Sequence, residues 1–103
     1  MTAPSRDWCQ RLNCMNWSRW LKGRTVGVGS YFLNGEPHDA VGHLYVQFAR
    51  MQLDDVDHVE QWFEEATGVD ARLVAMEADS APPGQHAAEA AALLRLRALR
   101  GIG

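Results

Sequence analysis

Hydrophobic residues recur at helical spacing near the N-terminus, after a candidate N-cap at Ser5. Three of them share one helix face: Trp8, Leu12 and Met15. Extending that helix would spread apolar side chains over all its faces, so we predict a break near residues 13–16. A second, short helix is predicted over residues 17–22, and Gly23 is placed to end it in the left-handed conformation.

Alternation of apolar and polar positions predicts three β-strands, over residues 24–32, 43–51 and 71–77. The intervening residues 33–42 are rich in turn formers, so the first two strands are expected to form a hairpin with a long loop. The second and third strands flank a predicted helix. Together they are expected to make a strand, helix, strand unit with a right-handed crossover if the strands are parallel.

That helix is expected to begin at Asp54 or Asp55, either of which can cap it, and to end at Gly68. Its apolar positions recur at intervals of three and four residues: Val56, Val59, Phe63 and Ala66. We call it the acidic helix because six carboxylates occupy the helix and its approach, with no lysine or arginine among them.

A linker containing two prolines and a glycine, residues 80–85, precedes a strong helix former over residues 86–100. The last helix carries an apolar stripe that consists of Ala87, Ala91, Leu94 and Ala98. The stripe can pack on the chain's own sheet or pair two copies, so a homodimer stays open. We predict one α+β domain over residues 1–103, with a helical N-terminal segment, a three-stranded sheet, the acidic helix and a C-terminal helix.

Composition fits this picture, since the 103 residues are 47% hydrophobic and 22% charged. The apolar stretches are far short of the roughly 20 residues of a membrane span, and the first residues lack the apolar core of a secretory signal. Only two cysteines are present, too few for a secreted disulfide framework. We therefore expect a cytoplasmic protein without a membrane partner.

Charge is segregated along the chain although the formal net charge is only −3. Residues 1–24 hold five lysines and arginines against one aspartate, whereas residues 51–80 hold nine acids against one arginine. Residues 81–103 are again basic, with three arginines against one glutamate. Such segregation gives a folded surface a dipolar field, which affects partners and association rates.

The acidic helix suggests a function by occupying a basic surface of a partner protein. The predicted contacts are Asp54, Asp57, Glu60, Glu64 and Glu65. On this interpretation the protein is a non-enzymatic interaction or regulatory module, and one version of it is an inhibitor that presents carboxylates where phosphates would lie. The plainer alternative is a solvated helix face whose acids near the start favour the helix dipole.

Nucleic-acid binding is the alternative in a different class, because cations alternate with tryptophans near the N-terminus. The residues that would contact phosphates are Arg11, Arg19, Lys22 and Arg24. A small enzyme or ligand-binding domain, with a pocket near Gly27 and Gly29, is the third alternative. No nucleophile elbow or phosphate-binding loop is present, so no catalytic residue is predicted and we expect a protein that is not an enzyme.

Zinc is a candidate ligand because the chain holds two thiols and two imidazoles in pairs: Cys9, Cys14, His38 and His43. Four residues separate the members of each pair, at the edge of the usual zinc spacing, and the two pairs fall on different kinds of structure. We therefore predict neither a metal nor a cofactor, while zinc binding by these four residues stays open.

Overall fold

The structure, a computed structural model, describes residues 5–51 and 55–100. Its elements follow in this order: α1 (Arg6–Leu21), β1 (Phe32–Leu33), β2 (Glu36–Pro37), α2 (Ala40–Leu44), α3 (Val56–Thr67), α4 (Ala71–Asp79) and α5 (His86–Arg100). Within these residues the only sheet is the antiparallel pair of two-residue strands β1 and β2. The predicted α+β class with a three-stranded sheet is therefore wrong, because the domain is mostly helical.

The strand predicted over residues 43–51 is helical instead. Helix α2 continues into a π-helical turn over Tyr45–Ala49, which ends at Arg50 with a left-handed backbone (φ 56°). The alternation that suggested a strand hides a second pattern with helical spacing, formed by Val41, Leu44, Tyr45 and Phe48. The first three of these side chains are fully buried, so tertiary burial favours the helical pattern.

The strand predicted over residues 71–77 is helix α4. Asp70 caps it by accepting a 2.9 Å hydrogen bond from the Arg72 amide. Its buried residues are Ala71, Val74 and Ala78, spaced three and four apart. The predicted strand, helix, strand unit is thus absent from the described chain, because this short apolar segment is also compatible with an amphipathic helix.

Of the strand predicted over residues 24–32, only Phe32 lies in a strand, β1, where it pairs with Pro37 of β2. The two strands form a hairpin, but not the predicted one, because β2 lies within the residues 33–42 that were expected to form its long loop. Asn34 and Gly35 connect them, both with positive φ (52° and 82°), as a tight hairpin turn requires. The rest of the predicted strand is irregular chain, and two of its residues, Gly27 and Gly29, lack the side chains that would stabilise a strand.

Helix α1 is continuous, so the break predicted near residues 13–16 is wrong, although the cap at Ser5 is confirmed by a 3.1 Å bond from the Trp8 amide. The polar residues of its middle have tertiary partners. Three side chains of α1 donate to consecutive carbonyls at the C-terminal end of α3: Gln10 to Glu65, Asn13 to Ala66 and Cys14 to Thr67. These bonds satisfy carbonyls that a helix end leaves without partners.

The acidic helix, α3, and the C-terminal helix, α5, are confirmed. Asp55 caps α3 by accepting a 2.8 Å bond from the His58 amide, and Gly68 ends it with φ 75°. Val59 and Phe63, on the inner face of α3, are fully buried. The stripe of α5 is buried within the chain, where the helix packs mainly against α1 and α4.

An aromatic stack joins α1 to α3 and to the π-helical turn. Trp17 lies between Phe48 and Trp62, with ring centroids 5.1 and 5.0 Å away and interplanar angles of 20° and 15°. Stacked pairs of this kind contribute about 0.5–1.5 kcal/mol each beyond area burial. The stack therefore joins these three elements in one hydrophobic core.

Helices α1 and α5 run in opposite directions, because the first turns of α1 contact the last turns of α5. The Arg97 guanidinium lies 3.1 Å from an Asp7 carboxylate oxygen, and Nε of Arg11 donates to the Ala98 carbonyl at 2.8 Å. This packing brings the basic N-terminal and C-terminal segments together and leaves most of the acids on α3 and α4. Across residues 5–51 and 55–100, no helix is long and apolar enough to span a membrane.

Candidate functional site

A pocket of about 540 Å³ opens between α3, α4 and the chain segments that flank the hairpin. This volume is within the range of small-molecule sites. Carboxylates from three different elements line it: Asp39, Glu60 and Asp79. Its apolar wall is made of Val56, Ala75 and Met76. We call this site the acidic pocket.

Asp39 is the buried carboxylate of the acidic pocket, with only 2% of its surface exposed. It is held as the N-cap of α2, where Oδ1 accepts a 2.8 Å bond from the Gly42 amide. Burial, with a smaller effect from the nearby Asp79 carboxylate, raises the pKa of Asp39 to about 7, although hydrogen bonds from the amides of Gly42 and Val41 act in the opposite direction. The carboxyl group can therefore gain or lose a proton near neutral pH.

The wall beside Asp39 depends on a close backbone approach at Gly42. A β-carbon on Gly42 would overlap the Tyr31 carbonyl oxygen, so only glycine lets this chain segment lie against the first turn of α2. The same carbonyl accepts a 2.9 Å bond from the His38 amide. These contacts place Tyr31 and Asp39 in one wall of the pocket.

Glu60 projects from the acidic helix into the pocket, where its Oε2 accepts a 2.7 Å hydrogen bond from the Tyr31 hydroxyl. Burial raises the pKa of Tyr31, and the bond to Glu60 raises it further, so the phenol keeps its proton and donates it to the carboxylate. The bond orients Glu60 through one oxygen and leaves Oε1 available to a ligand.

Asp79 lies at the end of α4, where its Oδ2 accepts a 3.2 Å bond from the Gly29 amide. The single cation of the lining is Arg72, whose Nη2 forms a 3.1 Å ion pair with Asp70. Because Asp70 is not in the lining, the arginine's charge is offset from outside the pocket. The acidic pocket therefore carries a negative potential.

Of the residues predicted to contact a partner through the acidic helix, Glu60 lines the pocket. Asp57, Glu64 and Glu65 are exposed on α3 and form no ion pair with any lysine or arginine that the structure describes. Asp54 lies outside the described residues. Two pocket carboxylates, Asp39 and Asp79, were not predicted from the sequence. For Asp39, a signal was present in its position before a helical apolar pattern, where aspartate is a common cap.

The four residues predicted to contact nucleic acid have different environments. Nε of Arg11 is bonded to α5, and the Arg24 guanidinium lies 3.8 Å above the Trp20 ring while its Nε donates to the Trp20 carbonyl. Arg19 and Lys22 instead line a groove between α1 and α5. The structure therefore brings two of the four together beside one concave surface.

The four candidate zinc ligands, two cysteines and two histidines, do not form a cluster. Among residues 5–51 and 55–100 no group of three or more histidines, cysteines and acids is arranged to hold a metal ion. Cys14 is buried and bonded to α3, and burial raises the pKa of its thiol to about 11, whereas Cys9 is exposed. The thiol of Cys14 is therefore a structural group in the core.

No protein family model, curated protein or solved structure matches this chain. The chemistry of the acidic pocket is therefore inferred from its own residues.

Proposed function

We propose that the protein is a non-enzymatic binding module whose acidic pocket receives a lysine or arginine side chain of a partner protein. The observation that carries the proposal is the convergence of three carboxylates on a pocket whose one arginine is already paired. A cation entering this pocket meets carboxylates held by hydrogen bonds, so little ordering is needed at the moment of binding.

The two halves of the lining match the two halves of a long basic side chain. Such a side chain has an apolar stem and a charged head. Val56, Ala75 and Met76 offer apolar contact to the stem, while Glu60 and Asp79 offer acceptors to the head. An ionised Asp39 adds a third negative charge, so a bound cation favours loss of its proton.

The exposed acids of α3 support binding from outside the pocket. Asp57, Glu64 and Glu65 lie in water on the helix that also carries Glu60. Charges of one sign around a binding site speed the approach of an oppositely charged partner and contribute less to the final affinity. The proposed role is thus regulatory or inhibitory docking on a basic protein surface, and the proposed compartment is the cytoplasm.

A titration with capped amino acids tests the pocket directly. We expect N-acetyl-arginine and N-acetyl-lysine methylamides to shift amide NMR signals of residues 29–31 and 75–80. Capped norleucine, which has no charge, should cause much smaller shifts. Replacing Asp79→Asn or Glu60→Gln should weaken binding by about tenfold, since each removes a charged acceptor.

Two exposed acids outside the pocket lining provide matched controls, Glu77 on α4 and Glu36 on β2. Glu77→Gln and Glu36→Gln should leave the affinity nearly unchanged. The proposal is rejected if these variants weaken binding as much as the pocket variants, because attraction would then be diffuse. Binding of capped norleucine equal to that of arginine would also reject it.

A further inference from the structure

A second concavity of about 360 Å³ lies between α1 and α5, and we call it the basic groove. Three cations border it: Arg19, Lys22 and Arg95. No carboxylate in the described chain forms an ion pair with any of the three. Its floor on α5 is made of alanines, whose small side chains open the space between the helices.

The hydroxyl of Ser18 is a donor within the groove. Ser18 is only 6% exposed and lines the groove, and its hydroxyl forms no hydrogen bond within residues 5–51 and 55–100. The fully buried polar atoms without a partner in the described chain belong to Arg97, so the Ser18 hydroxyl is accessible and can donate to a bound acceptor. An acceptor bound in the groove would receive a hydrogen bond from the Ser18 hydroxyl and would be stabilised by the neighbouring cations. Phosphate and carboxylate oxyanions have both properties.

Apolar side chains continue the groove away from its cations. On α1, Trp8 and Leu12 are 51% and 45% exposed and share a helix face with the groove residue Met15. On α5, Leu99 is 59% exposed and lies one turn beyond Arg95. A ligand with a charged head and an apolar chain therefore matches the surface better than a free inorganic anion does.

We propose that the basic groove binds an anionic amphiphile, that is, a phosphate or carboxylate head carried on an apolar chain. The head accepts a hydrogen bond from Ser18 and pairs with Arg95 and the cations of α1. The chain runs from there past Met15 toward Leu12 and Leu99. This site is separate from the acidic pocket, since the two share no lining residue.

Calorimetry with octyl phosphate, octanoate, inorganic phosphate and octanol tests the proposal and distinguishes the two heads. We expect one or both charged octyl ligands to bind at least about tenfold more tightly than phosphate or octanol. Arg95→Gln should weaken that binding by about tenfold, and Ser18→Ala should weaken it several-fold. The matched control is Arg100→Gln, an exposed arginine of the same helix outside the groove lining, which should have little effect.

A variant that fills the groove tests whether binding depends on the shape of the groove independently of its charge. Ala92 is exposed, and Ala92→Leu keeps a good helix former while it occupies the floor, so it should abolish binding without a change of charge. Circular dichroism checks that the variant is folded, and Ser18→Ala gives an independent measurement if it is not. Unchanged binding by both variants overturns the proposal.

A nucleic acid is the competing occupant. The proposal is also overturned if a single-stranded oligonucleotide binds through Arg19 and Lys22 more tightly than octyl phosphate, with an affinity that falls steeply as salt rises. That result would assign the groove to the nucleic-acid interface considered from the sequence.

Discussion

The acidic pocket and the basic groove are concave sites of opposite charge, and they differ most in how far their charged groups are exposed to solvent. Asp39 in the pocket is 2% exposed, whereas the three cations of the groove are exposed. Burial makes the charge of Asp39 depend on its protonation, because desolvation opposes the ionised form. Exposed charges are screened by salt. The pocket is therefore expected to respond mainly to pH and the groove mainly to ionic strength.

The two sites also differ in what builds them. The groove needs only two long helices in antiparallel contact. The pocket combines four separate parts of the chain: the segment before β1, the cap of α2, and one face each of α3 and α4. A backbone change can therefore remove the pocket and leave the groove intact.

The largest effect is expected from Gly42→Ala. Its β-carbon would overlap the backbone of Tyr31, which cannot move aside as a flexible side chain could. We expect the free energy of unfolding to fall by about 3 kcal/mol. Urea denaturation measures this loss, and capped arginine and octyl phosphate report the two sites.

In the folded fraction of Gly42→Ala, binding of capped arginine should be lost while binding of octyl phosphate is kept. Loss of both in protein that is still folded would show that the two sites are not built independently.

A smaller effect, confined to one pH range, is expected from Asp39→Asn. The pKa of Asp39 is about 7 in the folded protein against an ordinary value of 3.8. As pH rises from about 4 to about 7, the unfolded chain loses this proton before the folded protein does, so stability falls and then levels off above pH 7. Asparagine can keep the cap to the Gly42 amide without this titration.

Urea denaturation of both proteins at pH 5 and pH 8 measures the difference. The natural protein should lose about 2–3 kcal/mol more than Asp39→Asn between these values. Equal changes in the two proteins would mean that Asp39 ionises normally, and the contrast between a pH-sensitive pocket and a salt-sensitive groove would no longer hold.

The smallest effect is expected from Asn13→Ala, which alters the contact of α1 with α3 outside both sites. The Asn13 amide donates a 2.8 Å bond to the Ala66 carbonyl, and its loss should lower stability by about 1 kcal/mol. Thermal denaturation measures this change. The affinities for capped arginine and for octyl phosphate should not change. A change in either would show that the contact between these helices couples the two sites.

Local signals predicted some elements well and others wrongly. The caps at Ser5 and Asp55 and the end at Gly68 lie at the boundaries expected from the sequence. The errors at α2 and α4 have one cause, since a short apolar segment can fit both an alternating and a helical pattern. In each segment an aspartate cap, Asp39 or Asp70, is the local feature that favours the helix.

The candidate site was predictable only in part, and Glu60 shows why. Spacing and charge predict that Glu60 lies on an acidic helix. Its hydrogen bond with the Tyr31 hydroxyl, however, depends on a contact between distant parts of the chain. Asp39 and Asp79 were missed for the same reason. Nothing in their immediate neighbours indicates that they border one pocket.

The helix caps, the helical spacing and the segregation of charge along the chain are determined by the sequence alone, because each depends on residues close to one another. Which charges become neighbours follows from packing. The antiparallel contact of α1 with α5 joins two basic segments from opposite ends of the chain, and the approach permitted by Gly42 sets Tyr31 beside Asp39. These arrangements depend on which surfaces lose water together, and that depends on the whole fold.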